Sequence, residues 1–136
     1  MKALLIVNPS SGGEQAQEYE QLAEEKLREA FSEVVVKHTE KEGDATRFAS
    51  EAVAEFDSVF AMGGDGTVNE AVNGLAPHDK RPNFGFFPLG TVNDLARALA
   101  IPLDPKEAIE SFAVDHTRKI DIGQVNQDYF TNVVAI

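Results

Sequence analysis

Cysteine is absent from the 136-residue chain, and basic residues and long apolar runs are scarce. Without cysteine there can be no disulfide bond, no thiolate metal site and no cysteine nucleophile. Twelve Lys and Arg against 23 Asp and Glu give a formal net charge of −11, which disfavours nonspecific binding to nucleic acid or to an anionic bilayer. The apolar run Ala3 to Val7 is too short for a membrane span and predicts a first strand.

Several common active-site motifs are also missing. The chain has no Gly-x-x-x-x-Gly-Lys-Ser/Thr, and residues 64–69 lack the third glycine of the dinucleotide fingerprint, which disfavours a P-loop and a Rossmann NAD site. Neither a Gly-x-Ser-x-Gly elbow nor a His-Glu-x-x-His helix occurs. His38, His78 and His116 stand in unrelated contexts, so we predict that they are surface or loop histidines.

Strand and helix signals alternate along most of the chain. Short apolar runs predict strands at residues 3–7, 34–36, 58–62 and 83–88. Apolar residues at helical spacing, or helix-start signals, predict helices at residues 14–31, from Gly43-Asp44 to Phe56, and at 67–75. A fourth helix is predicted to follow residues 89–94 and end at Ala100, and a fifth to run from 104 to about 114. Extended segments 119–125 and 129–136, separated by a turn-prone 126–128, predict a final β-hairpin.

This order predicts an α/β fold with three layers. Because the strands lack polar alternation, we expect a mainly parallel sheet with helices on both faces, in a Rossmann-like topology. Residues 1–136 are expected to form a single domain. The chain closes on the apolar residues 133–136 with no stop signal, so we expect a longer protein in which the hairpin leads to a second domain.

Gly63-Gly64-Asp65-Gly66-Thr67 lies between a predicted strand and a predicted helix, where a phosphate-binding turn is expected. Glycines can adopt positive φ and lie close to a ligand, and the helix start offers unpaired N–H groups. Asp65 is unusual there, because a carboxylate repels phosphate unless a cation such as Mg²⁺ intervenes or the acid handles a proton. The alternatives are a plain tight turn, and Asp65 as the N-cap of a helix over 67–75.

Other polar loops are predicted to meet this turn. The carboxyl ends of parallel strands share one sheet edge, so residues 8–13, Thr39 and residues 89–93 are expected beside it. Residues 8–11 can also be read as a simple turn in which Ser10 or Ser11 caps a helix, and Asn93-Asp94 as a helix cap. We predict that the basic side chains Lys41, Arg47 and Arg97 are solvated.

Three motifs in order resemble the diacylglycerol kinase catalytic domain of bacterial lipid kinases. They are Asn8-Pro9-Ser10-Ser11-Gly12, then Gly63 to Glu70, and then Pro88-Leu89-Gly90-Thr91-Val92-Asn93-Asp94-Leu95-Ala96. Lys119 to Gly123 is similar to the segment that follows in that family. Soluble NAD kinases carry a related Gly-Gly-Asp-Gly-Thr, but the first and third motifs are more similar to those of the lipid kinases.

The resemblance implies an ATP site at the predicted loops, with Mg²⁺ as the companion ion. Asp65 would be the catalytic residue, as a magnesium-linked or proton-handling carboxylate, and the protein ligands of the metal are left unassigned. The residues implied to bind the nucleotide are Asn8, Pro9, Ser10, Ser11, Gly12, Thr39, Gly63, Gly64, Asp65, Gly66, Thr67, Val68, Asn69 and Thr91.

The implied activity is transfer of the γ-phosphate of ATP to a lipid hydroxyl, that of diacylglycerol or a related lipid, in phospholipid biosynthesis. A cytoplasmic enzyme peripheral at the inner membrane face is implied, with lipid and membrane contacts and further catalytic acids in the second domain. The isolated chain is therefore expected to be inactive. The alternatives are a soluble kinase of the NAD kinase type and a non-catalytic nucleotide-binding regulatory module; no nucleic-acid partner is expected, and the sequence does not set the oligomeric state.

Overall fold

A computed structural model describes residues 1–10, 16–88, 121–125 and 128–132 of the chain. Strands and helices alternate through the first two of these ranges, and two further strands follow. The elements are β1 (Lys2–Val7), α1 (Ala16–Ala30), β2 (Glu33–His38), α2 (Asp44–Ala52), β3 (Ser58–Gly63), α3 (Asp65–Leu75), β4 (Asn83–Pro88), β5 (Asp121–Val125) and β6 (Asp128–Asn132).

The first four strands form a parallel sheet in the order β2-β1-β3-β4. In the register, Leu5 of β1 lies between Val36 of β2 and Phe60 of β3. β5 and β6 pair as a separate antiparallel hairpin. The predicted α/β class, the parallel sheet and the final hairpin are therefore confirmed.

Helices cover both faces of the sheet. On one face, α2 and α3 pack against alternate strand residues such as Leu4, Ile6 and Ala61. On the other, α1 packs through Ala23 and Leu27 against the residues between them. Ala3 to Val7 are buried along their whole length because β1 is a central strand with a helix layer on either side. This is the predicted three-layer arrangement.

Several predicted boundaries need correction. β2 extends to Glu33 and His38 on either side of the predicted 34–36, because its pairing with β1 continues beyond its apolar residues. α1 is described from Ala16, α2 ends at Ala52 instead of Phe56, and α3 begins at Asp65 instead of residue 67. The helices predicted up to Ala100 and over 104–114 lie outside the described residues.

The amino ends of the strands are joined by charged groups. Lys2 Nζ lies 2.5 Å from Glu55 Oε1 and 3.3 Å from Glu33 Oε2. The hydrogen bond between Lys2 and Glu55 raises the pKa of Lys2 above its ordinary value and lowers the pKa of Glu55. The carboxyl ends of the strands have a different character, with polar loops and a cleft. In the ranges that the structure describes, no helix is long and apolar enough to cross a membrane.

Candidate functional site

The cleft lies at the point where the sheet changes its direction of winding. β1 and β3 are neighbours, but the chain leaves β1 towards α1 on one face and leaves β3 into α3 on the other. In open parallel sheets such a point creates a crevice at the carboxyl ends of the strands, where ligands bind. The loops after β1, β2 and β3 meet here, as the sequence predicts.

Asn8 organises the loop after β1. Its backbone N–H donates to the Met62 carbonyl at 2.9 Å, which ties the end of β1 to β3. Its side-chain Oδ1 accepts from the backbone N–H of Ser10 at 3.1 Å and from the Ser10 hydroxyl at 2.7 Å, an Asx-type turn. Its Nδ2 donates to Thr67 Oγ1 at 3.3 Å. One side chain therefore shapes this loop and joins it to the first turn of α3.

The glycine motif forms the start of α3. Gly64, in extended conformation with φ −90° and ψ −169°, is the N-cap, and Asp65 is the first helical residue. The alternative in which Asp65 caps a helix from residue 67 is therefore wrong, because the helix begins two residues earlier, at Asp65 itself. The first N–H groups of a helix have no acceptor within it, so this terminus favours an anion.

The turn uses its glycines for close packing. Among the described glycines the left-handed conformation occurs at Gly43, so positive φ is not what the motif requires. A Cβ on Gly63 would lie 2.6 Å from Thr67 Oγ1 and 2.8 Å from Thr67 Cβ, whereas a Cβ on Gly66 would meet nothing within 4 Å. Gly63 thus allows Thr67 to fold back against the end of β3, and Gly66 leaves space at the exposed helix start.

Asp44 holds the loop after β2. Thr39 follows β2 directly, and its N–H donates to the Val7 carbonyl at 2.8 Å. The buried Asp44 carboxylate accepts from the N–H groups of Glu40 at 2.9 Å and Lys41 at 3.1 Å, with Arg47 3.3 Å away. These contacts, the Glu40 amide first, lower the pKa of Asp44 despite its burial. Asp44 thereby fixes one wall of the cleft.

We expect the stability supplied by Asp44 to be lost in acid. A lowered pKa in the folded state means that the carboxylate stabilises the protein at neutral pH, and that this contribution disappears as the pH falls through the folded pKa, below about 4. Asp44→Asn should lower the midpoint of thermal unfolding by several degrees at pH 7, and the difference from the unaltered protein should shrink towards pH 3. A difference independent of pH would contradict this assignment.

The three loops enclose a cleft of 390 Å³. Five residues that the sequence predicted line it, and five others join them. The lining residues are Asn8, Pro9, Ser10, Thr39, Glu40, Lys41, Glu42, Ala45, Thr67 and Glu70.

The remaining predicted residues have different positions. Gly63 and Val68 are buried behind the cleft, Val68 as part of the core between the sheet and α3, while Gly66 and Asn69 are exposed on the first turns of α3. Gly64 and Asp65 form the helix start. Ser11, Gly12 and Thr91 lie outside the described residues. The predicted set thus includes both cleft residues and residues that shape the helix.

Four charged residues line the cleft that the predicted site did not include: Glu40, Lys41, Glu42 and Glu70. Lys41 was predicted to be solvated; it is exposed, but it also lines the cleft. Arg47 instead pairs with Asp44 and lies over the Phe48 ring. Glu70 follows Thr67 by three residues, a spacing that places both on one side of a helix and could have indicated its position.

Comparisons with known proteins show which family the sequence is similar to. A family model described as the diacylglycerol kinase catalytic domain matches residues 2–125. Over 136 residues the chain is 47% identical to a diacylglycerol kinase of Bacillus subtilis, covering 98% of the chain and 45% of that protein. It is 45% identical over 134 residues to a diacylglycerol kinase of Staphylococcus haemolyticus, covering 98% of the chain and 41% of the relative.

The fold is similar to that of solved structures as well. A crystal structure of a diacylglycerol kinase from Bacillus anthracis str. Sterne superposes with a TM-score of 0.88 at 36% sequence identity, covering 95% of this chain and 45% of that one. The chain therefore spans less than half the length of these relatives.

Proposed function

Because the chain belongs to the diacylglycerol kinase catalytic domain family, we propose that it supplies the ATP-binding part of a lipid kinase. The reaction is transfer of the γ-phosphate of ATP to the hydroxyl of diacylglycerol or a related lipid. The observation that carries the proposal is the cleft at the carboxyl ends of β1 and β3, where the direction of winding changes. This cleft adjoins the start of α3, which has glycines on either side of Asp65.

The described residues suit a nucleotide. The cleft volume of 390 Å³ lies within the range of about 300–1,000 Å³ that is usual for small-molecule sites. The polyphosphate would lie at the N-terminus of α3, where backbone N–H groups and the helix dipole favour negative charge. Asn8 and Thr67 hold the flanking loop and helix together, so the site is largely formed before the ligand arrives.

Mg²⁺ is proposed to enter with ATP, bound to its phosphate oxygens. The glutamates that line the cleft offer the oxygen atoms that this ion prefers. However, within the described ranges no group of three or more His, Cys, Asp or Glu residues is arranged to hold a metal ion. We therefore assign the ion no protein ligand set. When bound, it would neutralise phosphate charge during transfer.

The lipid acceptor is proposed to bind to a second domain of the protein. The relatives are more than twice as long as the matched region, which leaves room for such a domain in proteins of this kind. A net charge of −11 gives this part no general attraction to an anionic membrane, so membrane contact is assigned to the second domain, with the enzyme in the cytoplasm and peripheral at the membrane.

A phosphate-transfer assay tests the proposal. The protein, expressed from its complete open reading frame, would receive radiolabelled ATP and Mg²⁺ with either diacylglycerol in mixed micelles or NAD⁺. We expect the label in phosphatidic acid. Label in NADP⁺ alone would replace the proposal with a soluble kinase activity, and ATP binding without transfer to either acceptor would favour a regulatory module.

A further inference from the structure

Glu70 joins α3 to the segment just before α2. Its carboxylate Oε1 accepts from the backbone N–H of Gly43 at 2.7 Å, and its backbone carbonyl accepts from the Thr46 hydroxyl at 2.8 Å. Gly43 has a φ of 92°, a conformation that side chains rarely adopt, and it is the N-cap of α2. The side-chain carboxylate and the backbone carbonyl of Glu70 thus both hold the start of α2.

This link continues to the wall of the cleft. Residues 39–42, which we call the β2–α2 wall, run from the end of β2 to Gly43. Asp44 fixes the middle of the wall through the N–H groups of Glu40 and Lys41. Glu70 fixes its end through Gly43. Because Glu70 lies one turn after Thr67, the β2–α2 wall is attached to the same helix whose start is the proposed phosphate site.

We propose that Glu70 is a positioning residue for the nucleotide, and that it acts through Gly43. It sets the spacing between the β2–α2 wall and the first turns of α3, both of which contribute residues to the lining of the cleft. The inference rests on the proposed function, since it takes ATP as the occupant. It requires an acceptor oxygen at the Glu70 position and does not require a negative charge. A residue that binds a metal or handles a proton would require the charge.

Two substitutions separate these roles. Glu70→Ala removes the acceptor, whereas Glu70→Gln retains an amide oxygen at the same distance and removes the charge. Isothermal titration of the complete protein with ATP and Mg²⁺ should show affinity weakened about 10-fold by Glu70→Ala and changed less than about 3-fold by Glu70→Gln. Glu51→Ala is the matched control, because it removes an exposed carboxylate from α2 away from the cleft.

Gly43→Ala tests the same link from its other partner. A Cβ at Gly43 would meet no atom within 4 Å, so any effect comes from the strained backbone and not from a clash. We expect this substitution to weaken ATP binding as Glu70→Ala does. The double variant should bind ATP no more weakly than the weaker-binding of the two single variants. Both changes act on the same contact: Glu70→Ala removes its acceptor, and Gly43→Ala strains the backbone that carries its donor. Additive losses would overturn the inference.

Hydrogen exchange of the Gly43 amide tests its contact with Glu70 in the absence of nucleotide. The Gly43 amide should exchange faster in Glu70→Ala and remain protected in Glu70→Gln and Glu51→Ala. An unchanged affinity in Glu70→Ala, or an equal loss in Glu70→Gln while Gly43 stays protected, would overturn the positioning role. If the unaltered protein binds no ATP, the proposed function fails, and the exchange rates alone then decide whether Glu70 holds Gly43 in place.

Discussion

Asp65→Asn is expected to lower the turnover of lipid phosphorylation by about 100-fold or more, the scale of effect for a residue that handles a proton in the reaction. Under the proposed function, the carboxylate beside the γ-phosphate either contacts the Mg²⁺ that accompanies ATP or takes the proton of the attacking hydroxyl. Asparagine has nearly the same shape, but it brings no negative charge to the ion and cannot accept the proton. The measurement is kcat for transfer from labelled ATP to diacylglycerol by the complete protein.

Stability should change little in this variant, which separates a chemical role from a structural one. Asp65 is the first residue of α3, where a negative charge stabilises a helix by roughly 0.3–1 kcal/mol. The thermal unfolding midpoint should therefore fall only slightly. Asp57→Asn is the matched control. It makes the same chemical change at the opposite end of β3, away from the cleft, where the Asp57 carboxylate accepts from the Lys2 N–H at 2.7 Å. Normal turnover in Asp65→Asn would end the assignment of a catalytic role.

The sheet could be predicted from sequence because its strands carry a direct physical signature. Neighbouring residues such as Leu4 and Leu5 face opposite sides of the sheet, and both are apolar. Both faces of the sheet must therefore be covered from water. Apolar residues at helical spacing between Ala45 and Phe56 lie in the core or pack against it, although α2 itself ends at Ala52. Because the strands are parallel, the loops that follow them lie together at one edge of the sheet, whatever the order of the strands in it.

The attachment of α2 to α3 could not be predicted in this way. The bond from Gly43 to Glu70 joins residues 27 positions apart, and it depends on how closely two helices approach. Gly74 permits that approach, because a Cβ there would lie 2.3 Å from the Thr46 carbonyl oxygen. Helical periodicity indicates which side of each helix is apolar, but it does not give the distance between two helices. Lys41 is exposed, as predicted, but its place beside the cleft could not be predicted either, since it depends on the loop that Asp44 holds.

Gly63→Ala is expected to reduce both stability and nucleotide binding. The added methyl group would lie 2.6 Å from Thr67 Oγ1, and Thr67 is only 5% exposed, so its side chain has little room to move. Overpacking of this kind costs about 1–3 kcal/mol of unfolding free energy. Displacement of Thr67 would also break its contact with Asn8 and open the cleft. Chemical denaturation and ATP titration of the same preparation measure the two effects.

Gly66→Ala is the matched variant that tests ligand binding without a change in protein packing. Its methyl group would meet no protein atom within 4 Å, and alanine is favoured over glycine in helices by about 1 kcal/mol, so stability should stay the same or rise. If phosphate lies against the start of α3, however, the methyl group occupies that space, and ATP affinity should fall by about 10-fold, or about 1.4 kcal/mol. Unchanged affinity in a stable Gly66→Ala protein would place the phosphate elsewhere, because Gly66 contributes an open approach and no packing contact.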